Sequence, residues 1–138
     1  MRGQFFCKGC GGPITGVIEV ESLKDPSVKR PSLKLQQPVA PCGSGYKSRY
    51  KSYDPGGWSK QKATDPEPTY WLNPDDVKPY SKYIKGRCIG CCGIAGLDGP
   101  NHQCAKCGAE IGTEESDCYT PYIFITESRN IEFEREDR

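Results

Sequence analysis

The sequence predicts one small domain, 1–138, that is mainly β with little helix and long irregular loops. Two features of composition carry that reading. Of 138 residues, 16 are glycine and 12 are proline, and before the C-terminal tail no stretch free of both exceeds nine residues. Glycine raises the entropic cost of a helix and proline removes an amide donor, so a helical bundle is excluded. Apolar residues supply only 35% of the chain, too few for a large hydrophobic interior. Nine cysteines stand against this background. No apolar run approaches the roughly 20 residues that span a bilayer. The opening Met-Arg-Gly-Gln-Phe-Phe-Cys lacks the apolar stretch and cleavage pattern of a secretory leader. The expectation is a cytoplasmic protein with no membrane segment.

The elements follow in chain order. Phe5 and Phe6 precede a first cysteine turn, Cys7-Lys8-Gly9-Cys10-Gly11, and are expected to pack beside it. After Pro13, Ile18 and Val20 alternate with Glu19 and Glu21, the two-residue period of a half-buried strand. Residues 24–62 are rich in Pro, Ser, Lys and Gly and read as a long surface loop or mobile insertion. Thr69-Tyr70-Trp71-Leu72 reads as a short strand. In Asn73-Pro74-Asp75-Asp76-Val77, an N-cap, a proline at the first helical position and acids in the first turn predict one helical turn. Turn-dense Gly96–Asn101 precedes a second cysteine turn, which leads into Glu110-Ile111-Gly112-Thr113. Pro121–Thr126 is apolar enough for a strand covered on both faces. Ile131 and Phe133, alternating with Glu132 and Glu134, predict an edge strand guarded by charge.

Cysteine spacing supplies the chemistry. Cys7-x-x-Cys10-Gly11 and Cys104-x-x-Cys107-Gly108 share one pattern, and Cys88-Ile89-Gly90-Cys91-Cys92-Gly93 contains a further C-x-x-C. Two intervening residues let both sulfurs face one ion from a tight turn. The glycine that follows accepts a positive φ and leaves nearby amides free to donate to thiolates. An odd cysteine count without a leader favours metal over disulfides. A thioredoxin-type redox role lacks the expected βαβ context. Each C-x-x-C-G turn feeds a strand, as in a zinc ribbon, so the fold expected is zinc-ribbon-like and stabilised by one or two Zn2+.

Cys7, Cys10, Cys104 and Cys107 are the first-choice ligands, followed by Cys91, Cys92 and Cys118. Spacing leaves the pairing open. The two turns can share one ion, or Cys7 and Cys10 can join Cys88 and Cys91 or Cys92, leaving Cys104, Cys107 and Cys118 for a second. Adjacent cysteines do not easily both point at one zinc, which would let Cys91 and Cys92 serve different ions. Cys42 has no near partner and reads as a non-ligand. His102 is the only histidine and is expected to lie behind the ligands or on the surface.

Charge divides the chain. Residues 24–87 carry thirteen Lys/Arg against six Asp/Glu, and residues 88–138 carry four against ten, while the whole chain is +1. A near-neutral total argues against a dedicated nucleic-acid binder. The stretch Tyr46-Lys47-Ser48-Arg49-Tyr50-Lys51-Ser52-Tyr53 interleaves aromatics with cations and keeps nucleic acid as an alternative partner, served by 46–62. Deaminase, Walker and dinucleotide motifs are absent, and one histidine among nine cysteines defines no nucleophilic pair. No catalytic residue is assigned, and a zinc enzyme ranks as the second alternative. The expected function is a non-catalytic, protein-binding module of adaptor or immunity type.

The second half carries Gly90-Cys91-Cys92-Gly93, Asp98-Gly99-Pro100-Asn101, Cys104-x-x-Cys107-Gly108, Glu110-Ile111-Gly112-Thr113-Glu114 and Ser116-Asp117-Cys118-Tyr119. In this it resembles a group of small bacterial cysteine-rich proteins with no established activity. Trp71–Val77 and the first C-x-x-C are similar too, so the likeness covers about half of the chain. Cys42, Cys88 and the segment from Tyr46 to Lys62 fall outside the pattern. The resemblance implies an intracellular bacterial protein and says nothing of a reaction.

Overall fold

In the computed structural model, which describes residues 1–31, 33–48 and 69–136, nine strands form one sheet. They are β1 (Arg2–Cys7), β2 (Pro13–Ser22), β3 (Ser44–Ser48), β4 (Thr69–Leu72), β5 (Ser81–Tyr83), β6 (His102–Cys104), β7 (Glu110–Glu115), β8 (Ile123–Thr126) and β9 (Ile131–Arg135). Their spatial order is β5-β6-β7-β8-β4-β3-β2-β1-β9. All neighbouring pairs are antiparallel except β2 with β3. Among the described residues, helix is confined to two short 3₁₀ turns, Pro74–Asp76 and Lys78–Tyr80. The main β expectation holds.

The sheet curls strongly. In this order β6 and β1 are six strands apart, which a flat sheet would separate by roughly 29 Å at ~4.8 Å per strand. Yet Cys7, at the end of β1, and Cys107, just beyond β6, bring their sulfurs to 3.5 Å. Asn130 helps to close the curl by accepting from the Lys8 amide at 2.9 Å and donating its side-chain amide to the Glu110 carbonyl at 2.7 Å. The concave side holds the main core: Phe5, Cys7, Ile14, Ile18, Val20, Tyr70, Leu72, Val77, Cys104, Ile111, Phe124 and Ile131. Phe5 packs edge-on to Tyr70 at 4.8 Å between ring centroids.

β4 and β8 are buried along their whole length. Successive strand residues face opposite sides, so Tyr70, Leu72 and Phe124 enter the main core. Trp71, Ile123 and Ile125 form a second cluster with Val39 and Ala40, against which Leu23, Leu33 and Tyr46 pack. The cover over this outer face is the connection from β2 to β3. Parallel strands cannot be joined by a hairpin and need a crossover. Residues 36–39 run beside 120–122, with the Val39 amide donating to the Tyr122 carbonyl at 3.0 Å and the Tyr122 amide to the Gln37 carbonyl at 2.9 Å. The stretch 24–62, expected as loop or insertion, therefore contributes a strand (β3) and an outer cover among its described residues. Its Pro and Ser content hides the few apolar side chains that do the covering.

The helical turn after β4 forms as its sequence directs. Asn73 caps it, accepting from the Asp75 amide at 2.9 Å, and its side-chain amide donates to the Ala40 carbonyl at 3.0 Å. β9 is an edge strand paired only with β1 among the described strands, in the charged register expected from Glu132 and Glu134. No helix among the described residues is long and apolar enough to cross a membrane.

Candidate metal centres

Two hairpin tips build the first centre. β1 turns into β2 through Cys7–Gly12, and β6 turns into β7 through Cys104–Ala109, with the same hydrogen bonds in both. The Gly11 amide donates to the Cys7 carbonyl at 2.7 Å and the Gly108 amide to the Cys104 carbonyl at 2.9 Å. The Cys7 amide donates to the Gly12 carbonyl and the Cys104 amide to the Ala109 carbonyl, each at 2.8 Å. Gly11 and Gly108 have φ of 74° and 79°, the left-handed conformation expected of the residue after each second cysteine. The repeat legible in the sequence is thus a repeat of geometry.

The sulfurs of Cys7, Cys10, Cys104 and Cys107 lie within 4.8 Å of one another. Two contacts cross between the tips: Cys7 to Cys107 at 3.5 Å and Cys10 to Cys104 at 3.7 Å. A tetrahedral ion with metal–sulfur bonds of about 2.3 Å separates its sulfurs by roughly 3.8 Å, so this group could hold a metal ion. Cys7 and Cys104 are buried and Cys10 and Cys107 exposed. Burial pushes the Cys7 thiol up to about 11, against the amides of Cys10 and Gly9 that favour its thiolate. Burial opposes ionisation of Cys104 as well, but there the amides of Cys107 and Lys106, with the Cys10 and Cys107 thiols, prevail and bring it down to about 7. The structure brings Cys7 and Cys10 together with Cys104 and Cys107, one of the alternatives that spacing left open. The other partners offered for Cys7 and Cys10, namely Cys88 with Cys91 or Cys92, are not beside them.

The second group is Cys91, Cys92 and Cys118, again within 4.8 Å of one another. Its position follows from topology. The loops β5–β6 and β7–β8 both leave the β6–β7 hairpin at the end away from its tip, so the two cysteine groups occupy opposite ends of that hairpin. Asp117 organises the second group. Its carboxylate accepts from the amides of Cys92 and Cys118, each at 2.8 Å, and of Cys91 at 3.1 Å. The Cys92 and Cys118 amides hold the Asp117 carboxyl below the usual range. In turn Cys92 and Asp117 beside Cys118 push its thiol up to about 12. The Cys92 and Cys118 sulfurs are 2.8 Å apart, closer than the roughly 3.8 Å that one tetrahedral ion sets between its sulfurs, so an ion held here would part them.

Two expectations are corrected here. Cys118 joins Cys91 and Cys92 rather than Cys104 and Cys107, because it starts the turn at the far end of β7. Adjacent Cys91 and Cys92 serve one group rather than two, because the loop wraps a single carboxylate with both amides and so turns both side chains toward Cys118. Cys42 and Cys88 belong to neither group. The Cys88 thiol instead lies 3.6 Å from the Ile84 carbonyl.

His102 is neither a ligand nor on the surface. It is 1% exposed, with Nδ1 2.7 Å from the Ser81 hydroxyl and Nε2 2.8 Å from Glu114. Glu114 also accepts from Tyr83 at 3.0 Å and from Ser116 at 2.7 Å. Burial works against the Glu114 carboxylate, but the His102, Ser116 and Tyr83 bonds outweigh it and lower its pKa. Sequence reading gave Glu114 and Asp117 no part in either neighbourhood, and only the Ser-Asp-Cys pattern points to Asp117. Of the aromatic and basic stretch, Tyr46 packs on the outer cluster, while Arg49–Lys62 lie outside the described residues. Compared with family models, curated proteins and solved structures, the chain matches none.

Proposed function

We propose that this chain is a zinc-stabilised, non-catalytic bacterial protein of the cytoplasm that binds another protein, as an adaptor or an immunity-type partner. The four-sulfur group at the hairpin tips carries the reading. Four thiolates complete the coordination of a tetrahedral d10 ion and leave no position for substrate, which is the arrangement of a structural site. The paired cysteine tips support a zinc-ribbon-like role for such an ion. It would contribute on the order of 10 kcal/mol of apparent binding energy, comparable to the whole stability of a typical domain.

Partner binding is supported by exposed apolar side chains. Leu97 is 87% exposed, Tyr119 74% and Ile89 64%, and all three sit on the loops that Asp117 ties together. Large apolar groups gathered on one part of a surface mark interaction sites. Charge supports docking too, with the basic residues concentrated in 24–87 and the acidic ones in 88–138. Elemental analysis of purified protein should find zinc. Its melt should drop steeply with chelator, and capture from the host should return one stoichiometric protein. A metal-free sample with an unchanged cooperative melt overturns the zinc reading. Retention on polynucleotide at low salt, lost on deleting residues 49–62, would favour the nucleic-acid alternative.

A further inference from the structure

The two cysteine groups differ in ways that matter chemically. At the hairpin tips two of four sulfur-bearing residues are buried, and the donor set is complete. At the far end of the hairpin there are three donors, with Cys91 and Cys92 exposed and Cys118 partly so. No fourth histidine, cysteine or carboxylate joins them among the described residues. His102 is committed to Ser81 and Glu114, and the Asp117 oxygens are taken up by three amides.

The three-sulfur group is nevertheless built and not a chance encounter. Three backbone amides on two separate loops converge on one carboxylate, and two more hydrogen bonds pin the loops: Ala95 amide to Ile89 carbonyl at 3.0 Å and Ser116 amide to Ile94 carbonyl at 2.8 Å. The approach is too close for side chains at its glycines. A Cβ on Gly90 would meet the Gly93 carbonyl oxygen at 2.1 Å, and one on Gly93 would meet the Ser116 carbonyl oxygen at 2.5 Å. The cost of this folding is three sulfurs crowded beside an anionic carboxylate, an arrangement that a cation relieves.

We propose that Cys91, Cys92 and Cys118 form a second, coordinatively open site that holds an exchangeable thiophilic d10 cation, separate from the closed site at the hairpin tips. Three thiolates and no oxygen donor select against Mg2+ and Ca2+ and suit Zn2+ with one exogenous ligand or Cu+ in trigonal coordination. Binding displaces the thiol protons to solvent and changes no oxidation state. An ion held by exposed ligands with an open position exchanges through that position, whereas the closed site must lose a bond first. The inference does not depend on which partner the protein binds.

The test uses reduced, full-length protein under anaerobic conditions, loaded with Zn2+ and, in a separate arm, with Cu+. Wild type should bind two Zn2+ per chain, one passing quickly to a chromophoric chelator and one retained. Cys118→Ser and Cys92→Ser should each lose the fast ion and keep the slow one, while Cys10→Ser should affect the slow one. With Co2+ in place of zinc, added imidazole should shift the absorption of the fast site and leave the slow site unchanged. Chelator-resistant Cu+ that disappears in Cys118→Ser identifies the monovalent member of the class. The proposal is overturned if no ion is lost in Cys118→Ser or Cys92→Ser in either arm, or if imidazole leaves the fast ion's spectrum unmoved. Finding Cys92 and Cys118 cross-linked in protein kept reduced throughout overturns it as well.

Discussion

Gly112 shows what a single missing side chain permits. It sits opposite His102 on β7, and the Phe124 ring from β8 packs over it. A Cβ there would meet the ring at 2.3 Å and the Ile125 carbonyl oxygen at 2.5 Å. Phe124 in turn meets the His102 ring edge-on at 5.1 Å. Gly112→Ala should therefore destabilise by about 1–3 kcal/mol, the usual cost of overpacking a core, read as a lower urea midpoint. Glu114 belongs to the same neighbourhood. Its folded pKa lies below the ordinary value, so its contribution is present above about pH 4.5 and is lost as pH falls through the folded value. Wild type should lose stability more steeply than Glu114→Gln as pH drops from about 5 to 3, and equal slopes in urea titrations would refute the assignment. Titration of the cysteine groups acts in both proteins and cancels in the comparison.

Elements here are short and depend on their ends. The turn at Pro74–Asp76 is held by Asn73, which also reaches the crossover through the Ala40 carbonyl. Asn73→Ala removes both bonds and should cost about 1–2 kcal/mol, measurable by chemical denaturation. The hairpin tips meet through their sulfurs, Cys7 with Cys107 and Cys10 with Cys104, beside the Lys106 side chain that lies against Gly12. Cys10→Ser should lower the melting temperature of metal-loaded protein while leaving metal-free protein nearly unchanged. A drop of similar size in both states would mean that Cys10 acts through packing alone.

At the scale of the molecule, the sheet has two apolar faces in its middle and needs two covers. Curling supplies the inner one, and the β2–β3 crossover supplies the outer one through Leu23, Leu33, Val39 and Ala40 around Trp71. Trp71→Ala should loosen the outer cover while leaving the inner core folded. Hydrogen exchange should accelerate at the Val39 and Tyr122 amides far more than in β1 and β2. Uniform acceleration through the sheet would show that the two clusters unfold as one.

Local chemistry was legible in the amino-acid order. The 2-residue alternation after Pro13, the capped turn at Asn73, the doubly buried strand before Glu127 and the left-handed glycines Gly11 and Gly108 of the two C-x-x-C-G turns all follow from constraints acting within a few residues, and all four are present. Which tip faces which was not legible, nor that Cys91 and Cys92 share Cys118, nor that 24–62 contributes a strand and a cover. Those facts depend on groups distant in sequence: a carboxylate at Asp117 gathering three amides, and a sheet curled until the tips of its β1–β2 and β6–β7 hairpins touch. Spacing sets what a turn can bind, but only chain closure across some hundred residues decides which sulfurs meet.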